Sequence, residues 1–267
     1  MNNIIKHELK TGFKPFIFWA LGLAFLVFAG ITKFLGFGGP SGADITVLLD
    51  QFPKIFLVMF GMANVDIQTL GGYFSVLQFY ALVCVSIYAI HLGTNAVSRE
   101  AVDKTYEFIF TKPRTRSYIL SCKLLAGILY LIAFCALNLI FSFLALPMLG
   151  INNTIQTTIV LYALASFFEG LVFFSLAVML STLFTRAELG IKMSNTIFII
   201  AYILSILFDL SENTAVIKPF TPLKYYEAAS LIGGKFDILY TAVCLVISAA
   251  ALFWAFHAFN KRDLNAI

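Results

Sequence analysis

Six long apolar runs, residues 15–35, 73–91, 122–147, 157–184, 193–210 and 238–259, constrain this chain more than any other feature. As helices rising 1.5 Å per residue, each spans a hydrocarbon core about 30 Å thick. A bilayer interior supplies no water to backbone N–H and C=O groups, so runs this continuous must satisfy those groups internally as helices, whereas barrel strands would alternate with period two. Composition agrees. With 60% of the 267 residues hydrophobic and 12% charged, too little polar surface exists to cover a water-soluble body of this size. The expectation is an all-α integral membrane protein with six transmembrane helices, forming one domain over residues 1–267.

Orientation follows from the Lys and Arg residues, which stay on the cytoplasmic side of short loops. Thirteen of the 18 share the side of the termini: Lys6, Lys10, Lys14, Arg99, Lys104, Lys112, Arg114, Arg116, Lys123, Arg186, Lys192, Lys261 and Arg262. Lys33, Lys54, Lys218, Lys224 and Lys235 lie on the other. This places both termini in the cytoplasm. The net charge of +4 then reflects topology and contact with anionic lipid, and nucleic acid is not an expected partner. The first run is too long, and lacks the small-residue pattern, for a cleaved secretory signal. Cys84, Cys122, Cys135 and Cys244 show no CxxC pairing and are expected to be buried thiols.

The segments between the runs carry further elements. Residues 2–14 alternate Ile4, Ile5 and Leu9 with Lys6, Glu8 and Lys10, the pattern of an interfacial helix lying on the membrane before Pro15 turns the chain inward. The first outer loop opens with GFGGPSG and holds an apolar stretch, ITVLLDQFPKIFLVMFGM, broken at Pro53. Such a stretch must pack at the outer surface or dip into the membrane. The last outer loop holds Pro219 and Pro222, then YYEAASLIGG, a short helix ended by Gly233 and Gly234. Short outer helices are therefore expected before spans two and six, and these two segments are the candidates for an external gate.

A charged island between spans two and three, SREAVDKTYEFIFTKPRTRSYILSCK, holds six of the 18 basic residues. Ser98 is a candidate N-cap, Glu100 suits the first turn and pairs at i,i+4 with Lys104. The helix should stop before Pro113, with Thr115 or Ser117 capping the next. Amphipathicity by itself fits an interfacial helix with solvated charges as well as a coupling helix that passes motion from a cytoplasmic engine into the spans.

The run Arg99, Glu100, Thr105, Glu107, Phe108, Lys112, Pro113, Arg116 and Lys123 resembles the first cytoplasmic loop of type-2 ATP-binding-cassette permeases, the transmembrane subunits of bacterial exporters. The six-span layout with its N-terminal interfacial helix is similar as well. The resemblance implies a permease domain over residues 1–267, placed in the bacterial cytoplasmic membrane. It implies assembly with separate ATPase subunits and with a second permease, identical or related. Arg99, Glu100, Asp103, Thr105, Glu107, Phe108, Pro113 and Arg116 would form the ATPase contact. The chain itself has no GxxxxGK[ST] phosphate loop. It is expected to be non-catalytic and without a cofactor or metal of its own, with ATP and Mg bound by the partner.

Glu169 is the one acidic residue deep in a span, in ASFFEGLVFF. An intramembrane carboxylate is costly and normally faces the bundle interior or a water-filled cavity. It is a candidate for the translocation path. The structural alternative is a hydrogen bond to Asn138, Gln78 or Asn195 that holds helices together. An ion-coupled transporter using Glu169, or a non-transporting accessory or immunity protein, are the competing functions. The first would call for a second intramembrane ionisable group and an inverted repeat, and neither is visible.

Overall fold

The computed structural model describes residues 2–36, 51–62, 65–102, 115–149, 155–184, 186–211 and 217–261. Among them the secondary structure is helical: α1 (Asn2–Gly36), α2 (Lys54–Met59), α3 (Leu70–Val102), α4 (Arg116–Ala145), α5 (Gln156–Leu183), α6 (Ala187–Leu210), α7 (Ala228–Ile232) and α8 (Ile238–Lys261), with short 3-10 turns at Leu146–Leu149, Lys218–Phe220 and Pro222–Lys224. Six of these, α1, α3, α4, α5, α6 and α8, are long and apolar enough to cross a membrane. The fold is an all-α, multi-pass membrane protein.

The bundle is built around α3 and α5, which pack most extensively on each other, with α8 closing on α5 and α1 on α4. Burial follows this order: 67% of the apolar stretch of α3 and 61% of that of α5 are buried, against 17% for α1. Gly93 lets α3 approach α5, since a Cβ there would lie 2.5 Å from the Phe174 carbonyl. In lipid, where no hydrophobic drive separates helix from helix, such close backbone approach supplies the attraction. Phe134, Phe173, Phe174 and Tyr88 fill the centre.

Two boundaries differ from those expected. Residues 2–14 do not form a separate interfacial helix, because α1 runs from Asn2 to Gly36 with Pro15 inside it. A proline removes one ladder bond, and here contacts of the first turns compensate: the Tyr130 hydroxyl donates to the Leu9 carbonyl and Glu8 pairs with Arg99. Ser98 is not an N-cap either, since α3 continues unbroken from Leu70 to Val102 and buries Ser98. Nothing in this stretch breaks a helix, so it extends past the apolar run. His91 lies inside α3, its Nε2 2.9 Å from the Asn95 amide nitrogen.

Thr115 is the N-cap residue of α4, though without a side-chain cap bond. The four cysteines are free. Short helices precede spans two and six: α2 follows Pro53, and α7 ends at Gly233 and Gly234, the latter in the left-handed region with φ +73°. Tyr225 and Tyr226 lie before α7 and are buried.

Candidate functional site

Two groups of polar residues stand out, one at each end of the bundle, with Glu169 between them. The first lies where α1 begins, α3 ends and α4 starts, and can be called the basic end. Glu8 is the only acidic residue before Asp44, and it is 9% exposed. Its Oε2 accepts from the Arg99 guanidinium at 2.9 Å, and its Oε1 lies 3.7 Å from Lys123 Nζ, itself 5% exposed. One carboxylate thus joins three helices. A small cavity of about 30 Å³, lined by Glu8, Asn95, Arg99, Lys123 and Tyr130 among others, sits beside it. The Ser117 hydroxyl donates to Asn260 Oδ1 at 2.9 Å, which ties the start of α4 to the end of α8.

These contacts bracket the charged island. Arg99 lies at its start and Lys123 at its end, so both of its ends meet at Glu8. Arg99 turns its guanidinium to Glu8, Glu100 falls in the last turn of the α3 backbone, and Arg116 begins α4. Asp103, Thr105, Glu107, Phe108 and Pro113 lie outside the described residues, as do residues 37–50 of the first outer loop. Sequence pattern had marked Arg99 and Lys123 but gave Glu8 no role. Its isolation as the sole acid among the basic residues of the first turns is the signal that could have found it.

The opposite, capped end is closed by residues 217–232. Lys224 Nζ donates to Asp209 Oδ2 at 2.5 Å and Lys218 Nζ to Glu227 Oε1 at 2.5 Å, which fasten the cap to the end of α6 and to itself. The Tyr225 hydroxyl donates to the Pro219 carbonyl at 2.6 Å, and the Tyr226 hydroxyl lies 2.8 Å from Thr241 Oγ1 on α8. Burial pushes both phenols above the ordinary tyrosine value, so both remain protonated. Beneath the cap is a cavity of about 140 Å³ bounded by Gly61, Ser75, Phe79, Tyr162, Phe208 and Asp209 among others.

Glu169 lies midway along α5, about 20 Å from either end. It is 1% exposed, and its Oε2 has no hydrogen-bond partner among the described residues. The three amides considered as its partners are engaged elsewhere: Asn138 donates to Gln78 Oε1 at 2.9 Å, Gln78 donates to Ser142 at 2.9 Å, and Asn195 donates to the Ile191 carbonyl at 3.0 Å. The Asn138–Gln78–Ser142 chain joins α3 to α4 as a buried polar layer separate from Glu169.

The described residues thus form a helical membrane bundle with polar groups gathered at its two ends and a buried carboxylate in its middle. The family profile described as ABC-2 family transporter protein matches residues 2–264, and the chain belongs to that family. No curated protein matches it significantly.

Proposed function

We propose that this chain is the permease subunit of an ATP-driven exporter, working as a pair with a second permease and with separate ATPase subunits that bind ATP and Mg. Membership of the ABC-2 transporter family over nearly the whole chain carries the proposal. The absence of a phosphate loop in this sequence fits it, because hydrolysis then belongs to another polypeptide. In this reading residues 1–267 form one permease domain, and the basic end with both termini faces the bacterial cytoplasm. The island from Arg99 to Arg116 is the ATPase contact, with Glu100, Asp103, Thr105, Glu107, Phe108 and Pro113 in it. Closure of the ATPase pair pushes on the island, the shared carboxylate of Glu8 passes that push to α1, α3 and α4, and the path between two permeases changes its open side. Glu169, held deep in the bundle with a free acceptor oxygen, is the path residue that meets a polar part of the cargo. No chemistry is asked of this chain.

The test is purification of the chain from its native membrane. An ATPase with a phosphate loop is expected to copurify. Glu107→Ala is expected to leave that ATPase hydrolysing while transport in vesicles falls. Absence of any ATPase, or full transport by Glu107→Ala and Glu100→Ala, overturns the proposal.

A further inference from the structure

The short helix α2 ends with carbonyl groups that the protein itself meets, two of them through tyrosine hydroxyls of neighbouring spans. The last four carbonyls of a helix have no partner within it and normally turn to solvent. At the end of α2 the carbonyls of Phe56 to Met59, and that of Phe60 just beyond, are all met by the protein, Phe56 by the Phe60 N–H at 3.0 Å. Gly61, with φ +68°, permits a tight reversal in which Met62 N–H donates to the Leu57 carbonyl at 2.8 Å and Gly61 N–H to the Val58 carbonyl at 3.0 Å. The next two carbonyls receive tyrosine hydroxyls from neighbouring spans: Tyr202 on α6 donates to Met59 at 2.6 Å, and Tyr80 on α3 donates to Phe60 at 3.0 Å.

The two tyrosines also report depth. Tyr202 lies seven residues inside Asp209, whose ion pair with Lys224 marks the polar boundary at the capped end, and seven residues of helix rise about 10 Å. Tyr80 lies ten residues inside the start of α3 at Leu70, about 15 Å along that helix. The carbonyl end of α2 is therefore well below the boundary. Its six residues span about 9 Å from Lys54 to Met59.

The outward side of α2 is apolar. Phe52, Ile55, Phe56 and Phe60 are each between 47 and 56% exposed, while Val58 is buried inward. A cluster of large apolar groups at this depth, on a helix whose carbonyls need no water, has hydrocarbon as its natural surroundings. Behind it, Gly61 and Val65 form one side of the cavity under the cap, next to the Phe79 ring that a Cβ at Gly61 would meet at 2.6 Å.

We infer that α2 is a re-entrant helix that dips into the leaflet at the capped end, faces lipid acyl chains through Phe52, Ile55, Phe56 and Phe60, and is pinned there by the hydroxyls of Tyr80 and Tyr202. The turn that follows it, at Gly61, lines the cavity beneath the cap. This holds whatever drives transport, because it rests on the geometry of α2 alone.

Tryptophan quenching tests it on the full chain in phosphatidylcholine vesicles. Trp19 and Trp254, the only native tryptophans, are replaced by Phe, and Phe56→Trp is introduced, with Ile55→Trp as a second reporter if the first fails to fold. Lipid brominated along its acyl chains is expected to quench the reporter, and aqueous iodide is not. Combining Tyr80→Phe with Tyr202→Phe is expected to weaken bromine quenching and raise iodide quenching severalfold. Iodide quenching as strong as that of a tryptophan placed at exposed Lys235 would place α2 in water and overturn the inference. Quenching by neither agent overturns it too, since α2 would then be covered by protein, such as a second copy. Unchanged bromine quenching in the double tyrosine variant overturns the pinning.

Discussion

At the scale of single residues, Glu169 carries the sharpest test. A carboxylate 1% exposed with a free oxygen contributes little to holding helices together, because intramembrane hydrogen bonds are worth only about 1 kcal/mol even when made. Glu169→Gln is therefore expected to leave thermal unfolding in detergent unchanged while transport in vesicles falls. Unchanged transport removes the charge-based role, and a large loss of stability restores the structural one. The position was legible from sequence, since a lone acid in an apolar run is visible without coordinates. Its environment was not: Gln78 and Asn138 were its plausible partners by composition, yet they bond to each other and to Ser142. Which polar side chains meet is fixed by helix rotation, and these helices are apolar on most faces, so their periodicity does not report that rotation.

At the scale of elements, the cap is held to the bundle by Asp209 and Lys224. Asp209 sits at the C-terminal end of α6, where the helix dipole disfavours a carboxylate, and Lys224 offsets this. Asp209→Asn is expected to cost about 2 kcal/mol, the scale of a hydrogen bond to a charged group. It should lower the thermal midpoint by a few degrees. Exchanging the pair, Asp209→Lys with Lys224→Asp, should recover part of the loss, and failure of any recovery means that the two act separately. The existence of α7 and its stop at Gly233 and Gly234 was readable from turn chemistry. The unbroken course of α1 through Pro15 and of α3 through Ser98 was not. Local rules place a stop at proline or a cap at serine, but contacts of Glu8 and Leu9 with distant helices offset Pro15, and nothing around Ser98 breaks the helix.

At the scale of the whole molecule, the Glu8 cluster connects α1 to both ends of the island. If it transmits motion, its sign matters more than its bulk. Glu8→Arg sets three cations against one another and is expected to abolish transport while the partner ATPase keeps turning over. Adding Arg99→Glu restores an opposite-charge pair and should recover a measurable part of transport. Recovery of folding without recovery of transport would mark the cluster as a structural clamp only. Helix count, membrane residence and the unequal charge of the two ends followed from sequence because they depend on composition and length. The clamp joins residues 8, 99 and 123 and could not be read from any local window.

Sequence by itself determined the solvent, the number of spans and the family, since apolar length and the island's residue pattern need no knowledge of packing. Tertiary structure decided which polar groups meet: Glu8 with Arg99 and Lys123, Asp209 with Lys224, and the hydroxyls of Tyr80 and Tyr202 with the carbonyls of α2. The physical reason is the bilayer. It forces nearly every span residue to be apolar and so hides helix orientation from sequence, which leaves the pairing of the few remaining polar groups to tertiary packing.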